Sequence, residues 1–242
     1  MIPKKIHYCW FGKGPKGKIF KKCLKSWKKY MPDYEIVEWN EENFDINQND
    51  YIKEAYSVKK YAFVSDYARL KIIYDNGGIY LDTDVELLKP IPKEALENGY
   101  FAKEKCNTIN TGLGFAAPRN NKILQKLMES YNNDHFLKEN GNINLLTCVS
   151  RATRDLKKIG YVINSKLKEI EKIKVYEPDF FCGYDLDSNH YLITNNTISV
   201  HHYSATWLPK NKRIKKKIKR MISKVIGRNN YLKIRKYIRR KK

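Results

Sequence analysis

Gly77-Gly78-Ile79-Tyr80-Leu81-Asp82-Thr83-Asp84 packs three signals into one short stretch. The glycine pair stops a helix, because glycine takes the backbone angles at a helix C-terminus that other residues resist. Ile79-Tyr80-Leu81 is an apolar run of the length and character of a buried strand. Two carboxylates then fall at the carboxyl end of that strand. Upstream, residues 61–76 place Ala62, Phe63, Leu70, Ile73 and Tyr74 at helical spacing, so the spacing predicts a helix that feeds the strand. Downstream, residues 85–88 continue as an extended segment before Pro90 and Pro92.

The chain opens in the same style. Residues 2–10 read as a strand ending at Phe11-Gly12, followed by a loop containing Gly12, Gly14, Pro15 and Gly17. A basic amphipathic helix comes next, with Ile19, Phe20, Cys23, Leu24 and Trp27 on one stripe and Pro32 at its end. Residues 34–39 alternate polar and apolar and read as a strand. A β-α-β start of this kind predicts an α/β fold with a parallel or mixed sheet. Residues 41–60 look polar and irregular. Further on, 100–103 and 112–117 read as strands, 122–131 and 145–156 as helices, and 198–203 as a last short strand. No internal repeat is present.

The 242 residues are 42% hydrophobic and 13% aromatic, far too rich in aromatics for a disordered chain. The formal net charge of +22 is unevenly distributed: 17 Lys and Arg and no acidic residue lie in 210–242, which leaves +5 for residues 1–209. We therefore read 1–209 as a mildly basic globular body and 210–242 as a basic tail. The five Cys are odd in number and include no C-x-x-C pair, which excludes a zinc ribbon and a disulfide framework and favours a reducing cytoplasm. Met1-Ile2-Pro3-Lys4-Lys5 lacks the apolar run of a leader, and no stretch nears the ~20 apolar residues that span a bilayer.

Two carboxylates so close at a buried strand end repel each other unless a cation neutralises them. Their oxygens suit hard ions such as Mn²⁺ or Mg²⁺, and an ion there can bridge a diphosphate leaving group. The end of a strand in an open α/β sheet is also where such folds bind ligands. Asp66 and Arg69, three residues apart on one helix, share a face. As a pair they read either as a surface ion pair or as groups that hold hydroxyls and phosphate. His201 and His202 alternate along a strand, so one points at the site and the other away.

Three motifs in this order resemble the glycosyltransferases with a DXD sugar-binding region. They are Ile2-Pro3-Lys4-Lys5-Ile6-His7-Tyr8-Cys9-Trp10-Phe11-Gly12, Ser65-Asp66-x-x-Arg69, and Gly77 through Asp84. Bacterial capsule and lipopolysaccharide transferases and yeast initiating mannosyltransferases belong to that family, and the large glucosylating toxins are more distant relatives. The likeness is close over residues 1–117 and looser over 198–207. It implies a GT-A fold, a Rossmann-like and mostly parallel mixed sheet flanked by helices. It implies that Trp10 stacks on the nucleotide base, that Ser65, Asp66 and Arg69 meet the donor sugar, and that Tyr80 and Asn110 lie beside it. Asp82 and Asp84 would hold Mn²⁺ or Mg²⁺, with His202 completing the ion's shell. Ser204 would reach the diphosphate and Trp207 would close over the donor. The resemblance further implies transfer of a hexose or N-acetylhexosamine from a nucleotide sugar, with UDP as the expected nucleotide. The expected outcome is retention, and the expected acceptor is a saccharide, lipid-linked, in capsule, exopolysaccharide or lipopolysaccharide synthesis.

In the tail, Ile214, Ile218, Met221, Ile222, Val225 and Ile226 recur at helical spacing among Lys and Arg. A basic amphipathic helix of this type reads as an element for an anionic membrane surface. That predicts a cytoplasmic protein held at the inner face of the cell membrane. Nucleic-acid binding by the tail is the rival reading; it leaves the apolar stripe and the Asp82/Asp84 context unexplained, so no nucleic-acid partner is expected. A phosphatase of the haloacid dehalogenase type also carries D-x-D, but wants Thr or Val where Glu86 stands.

Overall fold

The computed structural model describes residues 2–104, 108–161, 169–170, 172–204 and 210–240. Its strands are β1 (Lys5–Cys9), β2 (Glu35–Trp39), β3 (Gly78–Tyr80), β4 (Val85–Leu87), β5 (Tyr100–Glu104), β6 (Thr108–Ile109), β7 (Phe115–Ala117), β8 (Glu169–Ile170), β9 (Ile173–Tyr176), β10 (Tyr184–Asp185), β11 (His190–Tyr191) and β12 (Ser199–His201). Its helices are α1 (Lys18–Tyr30), α2 (Asp50–Ser57), α3 (Tyr61–Asn76), α4 (Lys93–Leu96), α5 (Lys122–Glu129), α6 (Cys148–Lys158), α7 (Pro178–Phe181), α8 (Lys210–Ile226) and α9 (Arg228–Arg240).

The main sheet runs β2-β1-β3-β7-β5-β9-β8, with β6 paired to β5. Strands β2, β1 and β3 are parallel, as are β5 and β9; β7 lies antiparallel between β3 and β5. Five strands therefore share a direction, and β7, β6 and β8 run against it. Parallel β2-β1-β3, with two carboxylates just beyond β3, is the Rossmann-like arrangement expected of a GT-A domain.

The alternation of side chains along each strand builds a core on both faces of the sheet. On β1, Ile6 and Tyr8 face α1 while Cys9 faces α3; on β3, Ile79 goes one way and Tyr80 the other; on β7, Ala116 opposes Phe115 and Ala117. Helices α2, α3, α5 and α6 cover one face, and α1 covers the other together with β4 and α7. Gly78 is required where β3 starts: its φ is +108°, and a β-carbon there would lie 2.9 Å from the Lys5 carbonyl oxygen and 3.0 Å from His7 Nε2.

Sequence and structure agree at α3, whose bounds are those of the periodic segment. They differ at residues 41–60, where α2 buries Tyr51, Ile52 and Ala55 on one side of an otherwise polar stretch. The 112–117 segment is a short 3₁₀ turn (Thr111–Leu113) followed by β7.

The basic tail rests on the body. On α8, Lys216, Arg220 and Ser223 share one face and meet residues 188–203, while Ile214, Ile218, Met221, Ile222 and Val225 point the opposite way and are exposed, Val225 to 80%. Arg235 of α9 pairs with Asp187 at 2.9 Å, and the Tyr231 hydroxyl accepts from Asn189 at 3.0 Å. The boundary drawn at residue 209 is thus crossed by ion pairs and hydrogen bonds. Among the described residues no helix is long and apolar enough to cross a membrane.

Candidate metal and donor site

The D-x-D triplet is a tight turn between β3 and β4. Leu81 N–H still donates to the His7 carbonyl at 3.1 Å, extending the β1–β3 pairing, and Val85 N–H then closes the turn onto the Asp82 carbonyl at 2.9 Å. Helix α1 holds the strand beyond the turn. Buried Trp27 donates its Nε1–H to the Val85 carbonyl at 2.8 Å, and Ser26 Oγ accepts from Leu87 N–H at 2.9 Å. The apolar stripe of α1 therefore sets the position of β4 and, one residue upstream, of Asp84.

Asp66, Arg69, Tyr80 and Asp82 form a buried network. Arg69 is only 3% exposed, so it is no surface ion pair. Its Nη1 meets Asp66 Oδ1 at 2.9 Å and its Nη2 meets Asp82 Oδ1 at 3.0 Å, with the Tyr80 ring 5.2 Å from the guanidinium carbon. The Tyr80 hydroxyl also donates to Asp82 Oδ1 at 2.9 Å. Burial raises the Asp82 and Asp66 carboxyls above their ordinary values despite Arg69. The loop after β6 closes on this network. Asn110 Oδ1 accepts from Gly112 N–H at 2.7 Å, Thr111 Oγ1 lies 3.4 Å from Arg69 Nη1, and a β-carbon at Gly112 would fall 2.7 Å from Asp82 Oδ2. Any side chain there would have to displace the Asp82 carboxylate. In the sequence, Asn110-Thr111-Gly112 resembles the family segment that meets donor sugar and acceptor, and an ordinary turn is the other reading.

The imidazole at the site is that of His201. Strand β12 pairs with β4 so that His201 stands opposite Val85, and His201 Nε2 lies 2.9 Å from Asp84 Oδ1 and 3.9 Å from Asp82 Oδ2. His202, expected as the metal ligand, faces the other way: its Nε2 pairs with Glu86 at 2.8 Å and its Nδ1 with the Tyr191 hydroxyl at 2.8 Å. The correction follows from pairing register. Alternation says that one of the two histidines faces Asp84, and the β12–β4 register selects the first. Ser204 reaches Asp84 as well, donating N–H and Oγ–H to Oδ2, both at 2.7 Å. Burial pushes the Asp84 carboxyl up, but His201 and Ser204 outweigh it and hold it well below the carboxylate range. Burial depresses His201, and Asp84 overrides that and raises it.

One ligand atom each from Asp82, Asp84 and His201 lies within 4.8 Å of the others. Two hard carboxylates with one imidazole fit a divalent cation of the Mn²⁺ or Mg²⁺ type. His201 Nδ1 is buried without a hydrogen-bond partner, so the ring's hydrogen-bonding capacity is directed at the two carboxylates through Nε2.

Trp10 stands apart, at the carboxyl end of β1. It lines an open cleft of about 460 Å³ with Lys13, Gly14, Lys16, Lys21, Glu38, Asn40 and Glu42. Its indole N–H donates to the Gly14 carbonyl at 2.8 Å and its ring packs on Phe20 at 5.2 Å. Ser65, expected near the donor, donates its hydroxyl back to the Tyr61 carbonyl of its own helix at 3.1 Å. Trp207 lies outside the described residues.

Residues 17–104 match the family model described as a glycosyltransferase sugar-binding region containing a DXD motif, and these residues include Asp66, Arg69, Asp82 and Asp84. Over those residues the chain is similar to the DXD glycosyltransferases. A protein of Legionella pneumophila subsp. pneumophila, subversion of eukaryotic traffic protein A, is 24% identical over 276 residues, taking in 88% of this chain and 40% of that protein. The chain thus spans two fifths of that relative's length. Among solved structures, the PaToxG glycosyltransferase overlaps 65% of this chain and 69% of its own at 21% identity and a TM-score of 0.49. A glycosyltransferase involved in the glycosylation of the major capsid of PBCV-1 overlaps 87% and 97% at 13% identity and a TM-score of 0.44.

Proposed function

We infer that this DXD glycosyltransferase transfers a hexose or N-acetylhexosamine from a UDP-sugar to a saccharide acceptor, with retention at the anomeric carbon. The observation that carries this reading is the cluster of Asp82, Asp84 and His201 at the end of β3, next to the Asp66–Arg69 pair. Asp82, Asp84 and His201 would hold the cation, Mn²⁺ or Mg²⁺. Bound there, such an ion supplies charge neutralisation to a departing diphosphate.

The remaining roles belong to the chain's own groups. Arg69 is held between two carboxylates, so its guanidinium fixes Asp66 and Asp82 in one geometry before a sugar arrives. Asp66, with its second oxygen free of Arg69, accepts sugar hydroxyls, and Asn110 borders the same space. Ser204 binds the oxygen of Asp84 that His201 leaves. The Trp10 cleft, with its lysines, takes the base and ribose; stacking of a base on an aromatic ring contributes about 1–3 kcal/mol. The acceptor hydroxyl attacks the same face that the diphosphate leaves, and no protein nucleophile is assigned.

The acceptor in this reading is a lipid-linked saccharide of capsule, exopolysaccharide or lipopolysaccharide assembly. It is met at the cytoplasmic face of the membrane, where the outward apolar face of α8 and its flanking Lys and Arg would lie on anionic lipid. Calorimetric titration of the full chain with UDP and with GDP, each with and without Mn²⁺ and beside Asp84→Ala, tests the donor half. Metal-dependent binding of UDP that disappears in Asp84→Ala is expected. Binding of GDP alone would reassign the nucleotide, and binding of neither would remove the donor site.

A further inference from the structure

Between His201 and Ser204 the chain makes a strained reversal. Tyr203 has φ +46°, the left-handed region that a β-carbon disfavours. The β12–β4 register sets His201 against one oxygen of Asp84, the Tyr203 ring packs on its imidazole with centroids 4.0 Å apart, and the turn brings Ser204 to the other oxygen. Backbone pairing with the D-x-D turn runs one bond past β12, from His202 N–H to the Asp84 carbonyl at 2.9 Å, and stops short of Tyr203. Its support comes from elsewhere. The Tyr203 hydroxyl donates to Glu104 Oε1 at 2.5 Å. The two carbonyls of the turn face the basic tail: Arg220 Nη2 donates to the His202 carbonyl at 2.5 Å and lies 3.3 Å from that of Tyr203, and Lys216 Nζ donates to the Tyr203 carbonyl at 2.8 Å.

The tail helix is itself anchored for this contact. The Arg220 guanidinium sits 4.8 Å from the centre of the Tyr184 ring, and fully buried Ser223 bonds the Ser188 carbonyl and His190 Nδ1. Lys216, Arg220 and Ser223 recur at i, i+4 and i+7, so one face of α8 makes every one of these contacts.

We propose that Lys216 and Arg220 of the basic tail are positioning residues of the metal site, clamping the His202–Tyr203 turn that aims His201 and Ser204 at Asp84. This rests on the reading of Asp82, Asp84 and His201 as the cation site. The two side chains touch neither donor nor ion in this role; they act through backbone carbonyls. Without them the turn relaxes toward an ordinary backbone conformation, which draws Ser204 off Asp84 and tilts the imidazole. The tail is then part of the catalytic unit, whatever its outer face binds.

Manganese binding to the full chain tests this, measured from the electron paramagnetic resonance signal of free Mn²⁺ with no nucleotide present. The samples are the unaltered protein, Lys216→Met, Arg220→Met, Arg220→Lys and Asp84→Asn, each with its melting temperature. Both methionine variants are expected to weaken Mn²⁺ by roughly 10–100-fold, as loss of groups that orient metal ligands does. Arg220→Lys, which keeps a donor, is expected to recover most of that. An unchanged Kd in both methionine variants, with or without a lower melting temperature, overturns the proposal. Asp84→Asn separates the two levels: its loss of Mn²⁺ keeps the metal site standing even if the clamp fails, and unchanged binding there removes both. Should Arg220→Met not fold, Lys216→Met alone decides.

Discussion

His7 shows how the start of β3 depends on one neutral ring. Trp39 Nε1 only donates, and it donates to His7 Nδ1 at 3.0 Å, so Nε2 carries the proton and gives it to the Gly77 carbonyl at 3.1 Å. Burial lowers the ring to about 4. Between 6.5 and about 4 the unfolded chain takes a proton that the folded chain refuses, so stability rises with pH through that window and is lost as pH falls through it. The loss attributable to His7 is about 3 kcal/mol; denaturant unfolding at pH 7 and pH 4.5 beside His7→Gln, which should flatten the difference, checks it. The histidine pair at β12 gives a second contrast. His201→Ala should abolish metal-dependent nucleotide binding in calorimetry, and His202→Ala should leave most of it, since its partners are Glu86 and Tyr191. Gly112→Ala forces a methyl to 2.7 Å from Asp82 Oδ2 and should cost donor binding with little change in melting temperature. Which histidine serves was illegible in the sequence: alternation supplies a period, and only the β12–β4 register supplies its phase.

At the scale of elements, the legible parts were those with strong local patterns. The helix at 61–76 is rich in apolar residues and ends in Gly, the β-α-β opening carries an amphipathic helix that stops before Pro, and both stand in the fold. Asp82-Thr83-Asp84 was legible because a buried strand precedes it. The helix α2 was not, because only one narrow side of it is apolar and Asn and Asp surround it. Short strands such as β10 and β11 have two residues each, too few for any period to register. Helix α1 connects packing to the site: Trp27 is fully buried and its indole holds β4. Trp27→Ala should cost about 3–5 kcal/mol by denaturant unfolding, and the surviving folded protein should bind Mn²⁺ more weakly because Asp84 loses its support. A variant with undiminished Mn²⁺ affinity would separate core from site.

For the whole molecule, charge and shape point the same way. The body carries +5 and the tail 17 positive charges, so vesicle binding should fall steeply as salt rises past the Debye regime. Met221→Ser with Val225→Ser, both on the outward face of α8, should change unfolding free energy by no more than about 0.5 kcal/mol each. The same pair should lower partition onto anionic vesicles by about 10–100-fold, as expected for two apolar side chains removed from an interface; co-sedimentation with vesicles of phosphatidylserine and phosphatidylcholine measures it. The inverted placement of α8, polar side inward and apolar side outward, has a practical corollary. Trimming the chain after residue 209 to gain solubility would discard Arg220 and Lys216 along with the greasy strip. Repainting the strip with serine or glutamine keeps every inward bond, and yields a better-behaved chain whose Mn²⁺ affinity still reports on the native Asp82/Asp84/His201 cluster.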